Sequence, residues 1–197
     1  MKILLVIRPE NKKESNELYI NSITRFGGEV ILVNDEDSWD SVSEKLEHVD
    51  GILLPGGDDV GKLDFLLIDY ALNKNLKLLG ICQGMQSMAL FGSNDSLISI
   101  GDDRHYLKDR YCHKVELEKD SFLYNLFGIN SFDVNSYHYQ TVANSYKFFI
   151  TGRSSDGLIE VVEGNSKVFQ VGVQWHPERM LDYDENSFKL ISEFVTK

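Results

Sequence analysis

Through its first half the chain alternates short β-rich apolar runs with segments of helical period, and this alternation restricts the fold more than any other feature. Lys2–Ile7 reads as strand and Glu14–Phe26 as helix closed by Gly27-Gly28. Glu29–Val33 reads as strand, and Ser38–Leu46 as helix with Ser38 as its N-cap. Strand Gly51–Leu54, turn Pro55-Gly56-Gly57, helix Lys62–Asn73, strand Lys77–Ile81 and helix Gly84–Leu90 follow. Strands separated by helices predict βαβ crossovers and a parallel sheet, hence an α/β fold. From about Ser93 the texture changes to short alternating stretches that read as antiparallel, among them His113–Leu117, Lys147–Thr151, Leu158–Val162 and Lys167–Val173. A last helix is expected over Asn186–Val195, packed on the sheet through Phe188, Ile191 and Val195.

The 197 residues are enough for one well-cored domain spanning 1–197, and 42% hydrophobic with 26% charged residues is globular composition. A formal net charge of −11 argues against sequence-independent binding to nucleic acid, which needs a basic surface to displace phosphate counterions. The apolar run Ile3–Ile7 stops at Arg8-Pro9, too short for a signal peptide core or a membrane span, so no membrane association and a cytoplasmic location are expected. Cys82 and Cys112 are read separately rather than as a disulfide, with Cys112 as a small half-buried thiol.

Chemistry concentrates first at Gly80-Ile81-Cys82-Gln83-Gly84-Met85-Gln86, where a cysteine stands between two glycines as an apolar strand hands over to a helix. Such a turn forces the nucleophile into a strained backbone conformation, and the flanking glycines relieve the crowding. Chance places two glycines this way around roughly 0.5% of cysteines. The unpaired amides and dipole at the helix N-terminus favour anions, which predicts an acidified thiol at Cys82 and a site for an oxyanion. A buried cysteine in a tight turn is the plain alternative.

A second stretch, Gly172-Val173-Gln174-Trp175-His176-Pro177-Glu178, ends an apolar strand in a histidine and a glutamate two apart. In extended backbone those side chains point the same way, so Glu178 can fix the His176 tautomer while the other ring nitrogen takes the thiol proton. Pro177 holds His176 out of the helical region. A third stretch, Ile52-Leu53-Leu54-Pro55-Gly56-Gly57, ends a strand in a turn whose Gly57 amide can pair with that of Gln83 as oxyanion donors. Parallel strands would bring these ends together, where open α/β sheets bind their ligands.

Taken in order, these three blocks resemble the signature blocks of class I glutamine amidotransferase domains, and their spacing is similar. Asn135-Ser136-Tyr137-His138-Tyr139-Gln140 and Asp156-Gly157-Leu158-Ile159-Glu160 further resemble the free-standing γ-glutamyl hydrolase branch, which includes hydrolases of γ-glutamyl-γ-aminobutyrate. The resemblance implies a single-domain, three-layer, flavodoxin-like fold with a mostly parallel central sheet and an additional small antiparallel sheet. It implies Cys82, His176 and Glu178 as a catalytic triad that hydrolyses a γ-glutamyl amide through a thioester, with Gln86, Ser136 and Tyr137 holding the glutamyl group, the last two mainly through backbone. His138 is expected to be structural. Gln83 stands where that branch usually has arginine, Tyr139 replaces a second histidine, and the connection from Gly57 to the helix at Lys62 is short, so the leaving group is where the chain departs from the family.

One short-chain branch of the family acts on γ-glutamyl-CDP-amidate in capsule phosphoramidate synthesis, which makes a nucleotide-linked substrate one expectation, with Arg104, Lys108, Arg110 and Arg179 as candidate cations. The alternatives are a glutaminase subunit that passes ammonia to a synthetase, and a non-catalytic α/β protein whose cysteine senses oxidants or binds a ligand. No metal or organic cofactor is expected, because the histidines and acids lack the usual zinc spacings.

Overall fold

A computed structural model describes residues 1–107 and 109–197. In chain order the first half comprises β1 (Lys2–Ile7), α1 (Lys13–Thr24), β2 (Glu29–Asn34), α2 (Trp39–Leu46), β3 (Gly51–Leu54), α3 (Lys62–Lys74), β4 (Lys77–Ile81) and α4 (Gln83–Leu90). The second half comprises β5 (Ile98–Ser99), β6 (His113–Leu117), α5 (Phe122–Phe127), β7 (Ser131–Val134), β8 (Gln140–Thr141), β9 (Phe149–Ser154), β10 (Ile159–Glu163), β11 (Gln170–Val173) and α6 (Glu185–Thr196). One nine-stranded sheet has the order β2-β1-β3-β4-β11-β10-β9-β6-β7. Its first five strands are parallel, in the flavodoxin-like arrangement, and the pairings from β11 to β7 are antiparallel.

The period of two along the inner strands sorts their side chains onto two faces. Ile3 and Leu5 of β1, Leu53 of β3 and Leu79 and Ile81 of β4 pack with Ile23 of α1 and with Leu190, Ile191, Phe194 and Val195 of α6. Leu4 and Val6, Ile52 and Leu54, and Leu78 pack on the opposite face with Val42 of α2, Leu67 of α3 and Met85 and Met88 of α4. Because helices cover both faces, these strands are apolar almost throughout, as parallel strands must be.

Two expectations are corrected. The second-half strands do pair antiparallel, most of them extending the main sheet and β5 with β8 forming a separate antiparallel pair, but the strand within Lys167–Val173, β11, is antiparallel to β10 on one side and parallel to β4 on the other. Phe188 leaves the core stripe of α6: it is 42% exposed and meets Phe26 edge-on, while Leu190 and Phe194 fill the core. The short helix α5 escapes the sequence pattern because its six residues are less than two turns, although Ser121 caps it and Gly128 ends it in the left-handed region at φ +74°.

Register aligns the strand ends that matter. Leu54 of β3 lies beside Gly80, and Val173 of β11 beside Ile81. The segments after β3, β4 and β11 therefore emerge together at the carboxyl edge of the sheet.

Candidate active site

Cys82 follows β4 directly and precedes α4, with φ +53° and ψ −107°. A non-glycine residue there carries strain of about 1–3 kcal/mol, so the surroundings must impose the conformation. The Cys82 amide donates to the Val173 carbonyl at 2.8 Å, and the Cys82 carbonyl accepts from Gln86 at 3.1 Å. Both glycines are required by close packing rather than by their own dihedrals. A β-carbon on Gly80 would lie 2.7 Å from the Gly84 carbonyl, and one on Gly84 would lie 2.2 Å from the Leu54 carbonyl oxygen. The helix therefore sits against β3 and β4 closely enough to make the turn.

Facing Cys82 is His176. A β-carbon on Gly56 would be 2.9 Å from His176 Cε1 and 3.5 Å from Cys82 Cβ, so thiol and imidazole share one glycine-lined corner. His176 Nδ1 donates to Glu178 Oε1 at 2.7 Å. The turn that joins them is a short 3-10 helix, Pro177–Arg179, not extended strand, and Pro177 begins it as a residue with no amide hydrogen to satisfy. Burial on its own lowers the His176 pKa; the Glu178 carboxylate and a hydrogen bond with Cys82 outweigh it and push the value up to about 10.

Asn135 and Tyr19 hold this histidine in place. Asn135 donates to the His176 carbonyl at 2.9 Å and accepts from its amide at 2.8 Å. The Tyr19 hydroxyl accepts from the Gly56 amide at 3.0 Å and lies 3.4 Å from His176 Nδ1. Burial, with Glu178 and Cys82 nearby, holds the Tyr19 pKa well above the usual phenol value, so it remains a neutral hydroxyl. Asn135 stands in a block already noted in the sequence, whereas Tyr19 sits on α1 with no local signal.

Cys82, His176, Gly57, Gln86, Tyr137 and Arg179 line a cleft of about 280 Å³. The Gln83 side chain turns inward instead, donating to the Asp59 carbonyl at 2.5 Å and to Asp64 Oδ2 at 3.0 Å. Asp64 in turn takes two hydrogen bonds, at 2.6 and 2.8 Å, from Arg8, whose other guanidinium nitrogen reaches Asp35 at 3.0 Å. This buried network lies under the Gly57 turn, since a β-carbon on Gly57 would fall 2.6 Å from Gln83 Oε1 and 3.4 Å from Arg8 Cδ. Gln83 opens α4, so its backbone amide has no acceptor within the helix.

Gln86 is buried at the cleft floor and donates to the Gln140 carbonyl at 2.9 Å and to Gln174 Oε1 at 3.1 Å. The Ser136 side chain does not reach the cleft: the residue is fully buried, and its hydroxyl donates to the His105 carbonyl at 2.7 Å. Tyr137 packs edge-on against His176, with ring centroids 5.4 Å apart. Of the candidate cations, Arg179 lies in the cleft with its guanidinium over the Tyr137 ring at 5.2 Å. Arg104 is turned to Asp102 at 2.9 Å and Arg110 stacks on Tyr183 at 4.2 Å, while Lys108 lies outside the described residues. Cys82 and Cys112 are both free, and Cys112 is partly buried.

A thiol on a strained strand-to-helix turn, a buried histidine–carboxylate pair and glycine turns at the edge of a flavodoxin-like sheet define a class I glutamine amidotransferase-like hydrolase acting on amide bonds. The chain belongs to the Peptidase C26 family, whose model matches residues 61–178. It is 31% identical over 216 residues to "Putative glutamine amidotransferase PB2B2.05" of Schizosaccharomyces pombe, covering 93% of this chain and 82% of that one. It is 29% identical over 196 residues to the γ-glutamyl-γ-aminobutyrate hydrolase PuuD of Escherichia coli, covering 82% of this chain and 77% of that one. The glutaminase domain of Trypanosoma brucei CTPS with bound acivicin has the same fold, with a TM-score of 0.73 at 18% identity over 99% of this chain and 91% of that one. Among the described residues no helix is long and apolar enough to cross a membrane.

Proposed function

We propose that residues 1–197 act as one domain that hydrolyses a γ-glutamyl amide through a thioester on Cys82. The observation that carries this reading is the position of Cys82, held at φ +53° in a cleft shared with His176. Cys82 Sγ attacks the γ-carbonyl, and the Gly57 and Gln83 amides receive the developing oxyanion. His176 passes the thiol proton to the leaving nitrogen, which departs as an amine or amidate and leaves the γ-glutamyl thioester. His176 then takes a proton from water, whose oxygen attacks the thioester; the C–S bond breaks, glutamate leaves, and the proton on His176 returns to the Cys82 sulfur. Glu178 orients the ring and stabilises the imidazolium, completing the triad.

Gln86 and the backbone of Ser136 and Tyr137 hold the glutamyl group. The leaving group extends toward Tyr106 and Tyr139, stacked at 4.1 Å, and toward Arg179. An arginine beside aromatic faces suits an anionic leaving group, either the carboxylate of γ-aminobutyrate or the pyrophosphate and base of CDP-amidate. Purified protein assayed against γ-glutamyl-γ-aminobutyrate and γ-glutamyl-CDP-amidate tests this reading. Release of glutamate from either, lost in Cys82→Ala, is the expected result; undiminished release by Cys82→Ala overturns it.

A further inference from the structure

Beside the cleft, four segments of the second half bring three histidines around one buried carboxylate. Glu160 of β10 is fully buried, and its Oε1 lies 3.1 Å from His113 Nε2 of β6, 3.8 Å from His105 Nδ1 and 3.8 Å from His138 Nε2. The outward-facing nitrogens settle two tautomers. His105 Nε2 lies 3.1 Å from Asp156 Oδ2, and His138 Nδ1 lies 2.9 Å from the Gln140 carbonyl. Both partners only accept, so each of these nitrogens carries the hydrogen. In the neutral rings, His105 Nδ1 and His138 Nε2 are then bare lone pairs turned toward a carboxylate. Ser136 Oγ, 3.5 Å from His105 Nδ1, directs its hydrogen to the His105 carbonyl at 2.7 Å instead.

Such an arrangement is electrostatically unfavourable without a cation. His138 Nε2 and Glu160 Oε2 have no hydrogen-bond partner among the described residues, although their side chains are 3% and 0% exposed. Buried acceptors left unmatched cost about 1–3 kcal/mol each. An inner lone pair on an imidazole whose outer N–H meets a carboxylate or a carbonyl is also the arrangement by which proteins orient metal-ligating histidines.

We propose that His105, His113, His138 and Glu160 form a structural binding site for Zn(II) or a chemically similar divalent transition metal. Ligand atoms of His105, His113 and Glu160 already lie within 4.8 Å of one another, and a tetrahedral zinc site needs roughly 3.3 Å, given metal–nitrogen distances of about 2.0–2.1 Å. Binding requires these groups to draw in by about an ångström and His138 Nε2, now 3.8 Å from Glu160 Oε1, to join them as the fourth ligand. The metal takes the place of the proton between His113 Nε2 and Glu160 and releases it to solvent, as metal binding to a protonated site does. Three nitrogens and one oxygen, with no thiolate, suit zinc better than magnesium or calcium, which prefer oxygen. The usual zinc spacings are absent from the sequence because the four ligands come from four segments. Bound metal would tie the loop carrying His105 and the loop carrying His138 to β6 and β10. The Tyr137-His138-Tyr139 wall of the cleft would then rest on a fixed base.

The experiment is a Co(II) titration of metal-stripped wild-type protein, followed by visible spectroscopy and by competition with Zn(II) and Mg(II). Cys82 beside His176 could also attract a soft metal, so Cys82→Ala is titrated in parallel. The site predicts one Co(II) per chain with tetrahedral d–d bands and no thiolate charge-transfer band, displaced by Zn(II) but not by Mg(II), and retained in Cys82→Ala. It further predicts binding about 10- to 100-fold weaker in Asp156→Asn, which takes the charge from the outer partner of His105, a carboxylate that also accepts from Ser154 and pairs with Arg104. An octahedral or thiolate spectrum, loss of binding in Cys82→Ala, or no stoichiometric binding by the wild type would overturn the proposal. The wild-type spectrum decides even if Asp156→Asn fails to fold.

Discussion

Gly84→Ala tests the packing that shapes the turn at Cys82. Alanine is the better helix former by about 0.8–1.0 kcal/mol, so propensity alone predicts stabilisation at this position in α4. The structure predicts the reverse. The added methyl carbon would sit 2.2 Å from the Leu54 carbonyl oxygen and 2.8 Å from Leu54 Cβ, whereas ordinary contacts begin near 3.4 Å. The helix must therefore retreat from β3 by about an ångström, against a backbone atom that has no rotamer to change. Overpacking of this kind costs about 1–3 kcal/mol, and a clash this deep against a backbone atom belongs at about 2–3 kcal/mol, leaving a net loss of about 1–2 kcal/mol after the propensity gain. For a domain of this size each kcal/mol lowers Tm by about 2–4 °C, so calorimetry should show a fall of about 2–8 °C. Because Cys82 stands at the start of the same helix, kcat should fall at least tenfold in the γ-glutamyl amide assay. A Tm equal to or above wild type would refute the argument that the two glycines are there for close approach.

Other expectations follow from the same geometry. Asn135→Ala breaks both hydrogen bonds to the His176 backbone and should cost about 1–3 kcal/mol in urea denaturation, with a fall in kcat larger than any change in KM. Asp64→Asn removes a charge partner of the buried Arg8 and should destabilise by about 3–5 kcal/mol; a loss below 1 kcal/mol would mean that Asp35 alone satisfies that guanidinium. The raised pKa of His176 gives a pH dependence of definite sign: its contribution is complete below the unfolded value near 6.5 and is lost as pH rises through about 10. Thermal melts should show this decline, and in Glu178→Gln it should begin at lower pH, because the carboxylate is the main group raising His176; identical slopes would contradict that cause.

The parallel half of the fold was legible because each element carried its own pattern. The apolar runs of β1, β3 and β4 are buried on both faces, Ser38 caps α2 as read, and the ends of β3 and β4 adjoin as strand order required. Phe188 was misread because i, i+3, i+7 spacing gives a stripe but not its width, and α6 turns Leu190 and Phe194 inward instead. At the site, the glycines around Cys82 marked the turn, since only close backbone approach demands them. Arg8, Tyr19 and Asp64 could not be found this way, because their partners stand 19 to 157 positions away and no local spacing records such contacts. The same reason hid the histidine cluster around Glu160.

Acid-quenched intact-mass spectrometry during turnover of a γ-glutamyl amide addresses the proposed chemistry most directly. The account predicts a transient mass gain of one γ-glutamyl acyl group, mapped to the peptide containing Cys82 and absent from Cys82→Ala. Turnover with no adduct on Cys82, at a rate that Cys82→Ala retains, would contradict it.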